Sequence, residues 1–457
     1  MGSSRSGGFT LAAAGDAIQM RSLAVLDHDG FVPLVRRVRD ADASFVNVEQ
    51  VIANYDDGYP TGLPGGGEKI AKPRIVDDFE WAGFNLFGLA NNHSNDLLHG
   101  GMLATIRAFE ERNLTHAGLG RDLGEARAPG FLECAAGRVA LIAGVATPTP
   151  GSAAGLRRQD FTGRPGVNPL RTRTRYIVDD HHLGWLRELS EDLGLDEIRR
   201  RREELDTLSV PPDTDDDEFA LLTSHAEALT GVGPLQFEQG DDVGIETRLD
   251  RQDTEEYIRR IASANEHSDW VIASLHLHEG SSGRMNHWPP EYNQEFVQQC
   301  IDAGADAVVQ HGPHQLRGID LYDGKPIFYS LNSWAQQVGG MRRLSQESYR
   351  QADLGTDALP GDVYRETADE DGYHGRFPDS TWWESILATC EYSADETLER
   401  IELTPIDLQQ HEPIHRCGTP VRATGETAER IIDNLAEYSK PYGTQIEFED
   451  GLGVVDL

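Results

Sequence analysis

Short apolar runs that each end in residues able to bind a cation or move a proton constrain this chain more than any other feature. Residues 306–309 run into Gln310-His311-Gly312-Pro313-His314, and residues 270–275 into His276-Leu277-His278-Glu279. Residues 9–14 end in Gly15-Asp16, residues 43–48 carry Asn47 and lead to Glu49, and residues 84–90 end in Asn91-Asn92-His93. Runs of this length read as buried strands. In an open α/β sheet the loops at the carboxyl ends of the strands share one edge, so groups spread over three hundred residues can meet there. Singly, each has a plain structural reading: Asp16 as a helix cap, Asn91-Asn92 as turn residues, Glu49 as a solvated charge, the histidines as loop residues. Their joint occurrence on consecutive strand ends is what points to a site.

The residue types then narrow the chemistry. Asp, Glu, Asn and several His make a mixed oxygen and nitrogen donor set, suited to Mn, Fe or Zn, with Mg or Ca where carboxylates dominate. His311 and His314, separated by a glycine and a φ-locked proline, can turn back toward one point. His276 and His278 are two apart on an expected strand and so face the same side. Cys134, Cys300, Cys390 and Cys417 have no CxxC spacing and read as free thiols of a reducing interior.

These stretches, together with residues 324–331 (Gly-Lys-Pro-Ile-Phe-Tyr-Ser-Leu), resemble the CapA family of poly-γ-glutamate capsule synthesis, whose domain is similar to calcineurin-like metallophosphoesterases. The resemblance covers about residues 9–147 and 268–410. It implies an α/β class fold, a layered α/β/β/α sandwich with mixed sheets; the long middle segment falls outside it and reads from its own pattern as a helical insertion. The resemblance also implies one or two divalent ions, with Glu49 bridging, Asp16 and His314 completing one site, and Asn92, His276 and His311 the other. His93 would then be a proton donor or transition-state stabiliser, and His278 a group that touches substrate or orients a ligand. The family pattern places a histidine where this chain has Ile18, which leaves three expectations: Gln50 or Asn47 substitutes, the first metal is weakly held by oxygen ligands, or that metal is absent.

A metal pair about 3.5–4 Å apart acidifies a water and clamps a phosphoryl or carbonyl oxygen. Hydrolysis of a phosphoester, or of a γ-glutamyl or peptide substrate, is therefore the expected activity, connected with poly-γ-glutamate metabolism. The same Lewis acidity with a neighbouring base would support peptide epimerisation. A non-catalytic polymer-binding subunit is the reading from a different class.

Charge bounds the partners. The chain has 41 basic against 77 acidic residues, a net charge of −36, and its only lysines are Lys69, Lys72, Lys325 and Lys440. A field of this kind repels nucleic acid and suits a halophilic source, where salt screens self-repulsion. Arg171, Arg173 and Arg175 close an arginine-dense stretch and are the candidates for recognising an anionic polymer, phosphoester or peptide substrate. No run is long and apolar enough for membrane insertion, and no signal-like segment precedes Phe9, so a cytoplasmic location is expected.

Periodicity sets the organisation. Residues 1–147 and 251–410 are expected to form the core, 148–250 an inserted helical and loop cap, and 411–457 a C-terminal extension with a helix. Within the cap, residues 181–206 read as one arginine-rich helix whose apolar stripe is Trp185, Leu186, Leu189 and Leu193, followed by an acidic run at 213–218. Residues 280–290 read as a polar flap in which His287 is solvated, and 340–380 as a long loop. Asp323-Gly324 between two apolar runs signals a tight hairpin.

Overall fold

Phe9–Ile18 is buried along nearly its whole length, which its small residues, Ala12, Ala13, Ala14 and Gly15, permit by letting layers approach from both faces. Its side chains alternate between two cores, as period two requires: Leu11 and Ala13 enter one, Ala12 and Ala14 the other. This strand is central in a ten-stranded mixed sheet. Ala43–Val48 pairs with it in parallel, followed outward by Leu86–Gly88 and Thr115–Ala117. On its other edge it pairs antiparallel with Glu384–Tyr392 over its first half and parallel with Ser333–Gln336 over its last residues. The computed structural model describes residues 8–26, 28–62, 67–204, 217–221, 234–283, 286–366 and 379–457.

A second, six-stranded sheet runs in the order Leu316–Tyr322, Lys325–Leu331, Ala307–His311, Trp270–His276, Gly137–Val145, Gly130–Cys134. Its four middle strands are parallel, with an antiparallel strand at each edge. Phe9, Leu11, Leu141, Trp270, Ile272, Val309 and Phe328 fill the space between the sheets. Phe9 stacks on Trp270 with ring centroids 4.4 Å apart. Helices Val32–Asp40, Ile75–Ala82 and Leu98–Glu110 cover the outer face of the first sheet through Leu34, Val38, Phe79, Ile106 and Phe109. Arg251–Asn265 and Asn293–Asp302 cover the second through Tyr257, Ile261, Phe296 and Cys300. The result is the expected α/β/β/α order. The Asp323-Gly324 hairpin is present, both residues having positive φ (51° and 71°), the backbone that a two-residue turn demands.

In the insertion and in residues 340–380 the structure differs from expectation. The insertion carries a four-stranded sheet (Glu218–Leu221, Leu235–Gln239, Thr172–Val178, Gly244–Leu249) as well as helices. Its arginine-rich helix is two, Asp180–Asp192 and Leu195–Glu204, broken at Gly194 with φ 70°. The apolar stripe is not a buried face: Trp185 and Leu193 are exposed, and Leu183 is the apolar residue of the first helix that is buried. Residues 213–216 of the acidic run lie outside the described residues. Residues 340–380 hold two short helices, Gln346–Gln351 and Pro360–Glu366, with 367–378 outside the described residues. Residues 411–457 carry the expected helix, Gly425–Ser439, whose Ala428, Ile431, Ile432 and Leu435 join the core between the sheets, and Leu452–Val455 pairs with Leu398–Asp407 in the ten-stranded sheet.

Candidate metal centre

Register brings the strand ends together. In the six-stranded sheet His276 stands opposite His311, and in the ten-stranded sheet Asp16 stands opposite Asn47 and Ser333. The register shifts between Ala13 and Asp16. There Asp16 N–H donates to Asn332 O at 2.8 Å. Gly15 allows that approach, since a Cβ on it would lie 1.9 Å from the same oxygen. The turn after His311 is equally tight. Gly312 has φ 120°, and a Cβ there would meet Leu277 O at 2.6 Å. His314 follows in the left-handed region at φ 51°, a conformation that a side chain other than glycine adopts at some cost.

His276 joins the two halves of the cluster. Its Nδ1 lies 3.3 Å from Asp16 Oδ1 and 3.0 Å from His311 Nδ1. Its Nε2 lies 3.0 Å from Asn92 Oδ1, 3.1 Å from His278 Nε2 and 3.8 Å from Glu49 Oε1. His311 Nδ1 is 3.0 Å from Asp16 Oδ1, and its other nitrogen, Nε2, is 2.9 Å from Ser274 Oγ. When Nε2–H donates to Ser274, Nδ1 keeps its lone pair toward Asp16. His314 Nε2 is 3.6 Å from Glu49 Oε1. Asn47 Nδ2 donates to Asp16 Oδ1 at 2.6 Å. Three donor triads have ligand atoms within 4.8 Å of one another: Asp16, His276, His311; Glu49, His276, His278; and Asp16, Glu49, His314.

The donor set fits a divalent cation on grounds internal to the site. Both carboxylate oxygens of Glu49 and Oδ2 of Asp16 are buried without a hydrogen bond. An ionised carboxylate so placed costs several kcal/mol unless a cation compensates it. Burial, then the charge of Asp16, pushes the Glu49 carboxyl well above its usual range, while Lys69 pulls it down. Burial also opposes ionisation of Asp16, but His311 and His276 outweigh it and hold Asp16 well below the ordinary value. Burial lowers the imidazoles in turn: His276 is depressed, His278 well depressed, and His314 falls to about 4. Neutral imidazoles beside carboxylates are the ligand state a transition metal needs.

The Asp16, Glu49, His314 group of the resemblance is among the triads, and Asn92 and His311 both contact His276, with two contacts added. His311 faces Asp16, and Asn92 with His278 faces the other nitrogen of His276. His278 lies beyond the strand, which ends at His276, yet its ring converges with the cluster. Ile18 is buried and offers no donor atom. Gln50 is occupied with the backbone of Gln19, so of the two expected substitutes Asn47 is the one at the site. His93 Nε2 is 4.0 Å from Glu49 Oε1, and its Nδ1 is 2.8 Å from Asp96 Oδ2. Asn91 orients this turn: its Oδ1 accepts from His93 N–H, and its Nδ2 donates to Val48 O.

Asp96 and Ser274 went unread in the sequence. The spacing of Asp96, three residues after His93, was an available signal; that of Ser274, two before His276 on one strand face, was weaker. Arg171, Arg173 and Arg175 are not in the cluster's contacts: they pair with Asp253, Asp250 and Glu218. His287, expected in solvent, stacks on Tyr438 at 4.4 Å, its Nδ1 3.0 Å from Leu316 O. The four cysteines are free and stand outside the donor triads.

Comparison with known proteins agrees with this architecture. The family model described as bacterial capsule synthesis protein PGA_cap matches residues 10–335. The uncharacterized protein y4sH of Sinorhizobium fredii is 32% identical, the match covering 98% of this chain and 93% of that protein. The PGA biosynthesis protein CapA of Bacillus subtilis is 33% identical over 90 residues, covering 20% of this chain and 23% of its own. The capsule biosynthesis protein CapA of Bacillus anthracis is 21% identical over 295 residues, 63% of this chain and 49% of its own. No described helix is long and apolar enough to cross a membrane.

Proposed function

This chain belongs to the bacterial capsule synthesis protein family, and on that premise we propose that it is a metal-dependent hydrolase acting on a phosphoester, γ-glutamyl or peptide bond in the metabolism of an anionic polymer. The observation that carries the reading is Glu49, fully buried, with neither carboxylate oxygen hydrogen-bonded and with imidazole nitrogens of His276, His314 and His93 within 4.0 Å. Asp16, Glu49, Asn92, His276, His278, His311 and His314 would hold one or two divalent ions, Mn, Fe or Zn by donor type. Bound there, such ions supply Lewis acidity toward a phosphoryl or carbonyl oxygen and lower the pKa of water.

The chain's own groups supply the rest. Asn47 fixes the Asp16 carboxylate, and Ser274 fixes the ring of His311. Asp96 accepts from His93 Nδ1–H, which leaves Nε2 facing Glu49; as imidazolium the ring would give its Nε2 proton to the leaving group, and the neutral ring would take a proton from water in turn. Six of the seven donors are ordered by strands or by the turns directly after them, so the site forms with the sheets.

The test is turnover of phosphomonoesters, phosphodiesters and γ-glutamyl oligomers by protein of known metal content. Hydrolysis lost on chelation and restored by one metal supports the reading. Stoichiometric metal with no hydrolysis of any of these substrates overturns it in favour of a binding role.

A further inference from the structure

Beside the metal centre lies a second polar group that the hydrolytic chemistry leaves unused. Glu279 follows His278 directly, and Arg317 comes three residues after His314; the rings of those two histidines are 5.8 Å apart. Arg317 is fully buried. Its Nη2 donates to Glu279 O at 2.9 Å and its Nε to Asn286 O at 3.0 Å, which ties Glu279 and Asn286 to the edge strand Leu316–Tyr322. Thr172 Oγ1, from the inserted sheet, donates to Glu279 Oε1 at 3.2 Å.

What remains is complementary. Arg317 Nη1, Glu279 Oε2 and the Tyr292 hydroxyl are buried and make no hydrogen bond. A native fold satisfies nearly all buried polar atoms, so three orphans in one neighbourhood, a cationic donor, an anionic acceptor and a hydroxyl, describe the negative of a ligand. The loop-tying bonds of Arg317 explain its burial without using Nη1, and the bond from Thr172 explains the place of Glu279 without using Oε2.

We propose that Glu279, Arg317 and Tyr292 form a recognition subsite for an amino-acid head group, with its carboxylate against Arg317 and Tyr292 and its ammonium or amide N–H against Glu279. A phosphate fits this subsite poorly, because it offers Arg317 an anion but sets a second anion against Glu279. The proposal rests on the hydrolase reading, and within it selects amino-acid-derived substrates over phosphoesters.

The experiment titrates γ-glutamylglutamate against the full chain, alongside glutarylglutamate, which keeps the carboxylate and lacks only the α-amino group. Metal content is measured separately by elemental analysis. The parent protein is expected to favour the amine-bearing ligand by about tenfold or more, the scale of one buried hydrogen bond to a charge. Glu279→Gln keeps the acceptor for Thr172 and should erase that preference with metal content and melting temperature unchanged. Arg317→Lys should weaken both ligands together. Equal affinity of the parent for the two ligands, no binding of either at millimolar concentration, or a preference that survives Glu279→Gln would overturn the subsite. Absent metal with the preference intact would overturn the hydrolase reading and leave the subsite standing.

Discussion

At the strand ends, Asp16 and Glu49 are fully buried, and Oδ2 of Asp16 and both carboxylate oxygens of Glu49 accept no hydrogen bond. In the insertion the opposite holds: Arg173 reaches Asp250, Arg175 reaches Glu218, and Arg248 reaches Glu238 and Glu246, mostly on exposed surface. Both regions are rich in charge, yet the first holds a carboxyl group, that of Glu49, out of water with no hydrogen-bond partner. Such a state persists when a ligand compensates it, whereas exposed pairs need no further reason than solvation. The number of charges thus says little about where chemistry happens, and their burial without partners says much.

The sharpest way to break this contrast is at His93, which touches the centre without belonging to its donor triads. His93→Ala should lower turnover about 10²–10⁴-fold, the range for a general acid or base, with metal content near that of the parent. Loss of metal in this variant would make His93 a ligand, and unchanged turnover would make it structural. Asp96→Asn acts through the His93 ring and should cost less, about 10–100-fold.

Next in size is a buried ion-pair group beside the insertion. Asp253 accepts from Arg127 at 2.7 Å and from Arg171 at 2.6 and 2.9 Å, with Asp253 and Arg127 both buried. Asp253→Asn leaves Arg127 uncompensated and should destabilise the fold by about 3 kcal/mol in chemical denaturation. A change below about 1 kcal/mol would place it with the surface pairs instead.

Glu49 reverses the sign. Its folded pKa is raised, so above about pH 4.5, where the unfolded chain's carboxyl ionises, the metal-free folded state is penalised increasingly until its own pKa is passed. Glu49→Gln should therefore stabilise metal-free protein at neutral pH by about 1–3 kcal/mol, with the gain vanishing below pH 4.5. A destabilising or pH-independent effect in thermal melts would show that Glu49 is compensated without a cation. The smallest effect belongs to the exposed insertion pairs: Arg173→Ala or Arg248→Ala should shift stability by less than about 1 kcal/mol. A larger loss in denaturant titration would mean that these pairs are structural after all.

The same contrast explains what was legible in the sequence. Strands such as Trp270–His276 and Ala307–His311 are buried throughout and read as unbroken apolar runs, so their ends, and the donors on them, were visible. Thr172–Val178 and Gly244–Leu249 are half-exposed, with charged residues between β-branched ones, and show no continuous apolar face. Their pairing is decided by contact between distant segments, which local pattern does not carry. At the site, the identities of Asp16, Glu49 and the histidines could be read, but the contacts of His278 and of His311 with Asp16 could not. That His276 uses one nitrogen toward Asp16 and the other toward Asn92 and His278 depends on ring orientation, set by register and by partners such as Ser274. The cap helix differs because Trp185 and Leu193, though at helical spacing, are exposed.

The central claim is that the strand ends converge on a cation. Elemental analysis of the purified full chain, parent beside His276→Ala, tests it most directly, because the His276 ring is the link between the two halves of the donor set. The account predicts one or two equivalents of a transition metal in the parent and near-zero retention in the variant, with its secondary structure by circular dichroism unchanged. A folded parent that takes up no divalent metal, or a variant that holds as much as the parent, would contradict it.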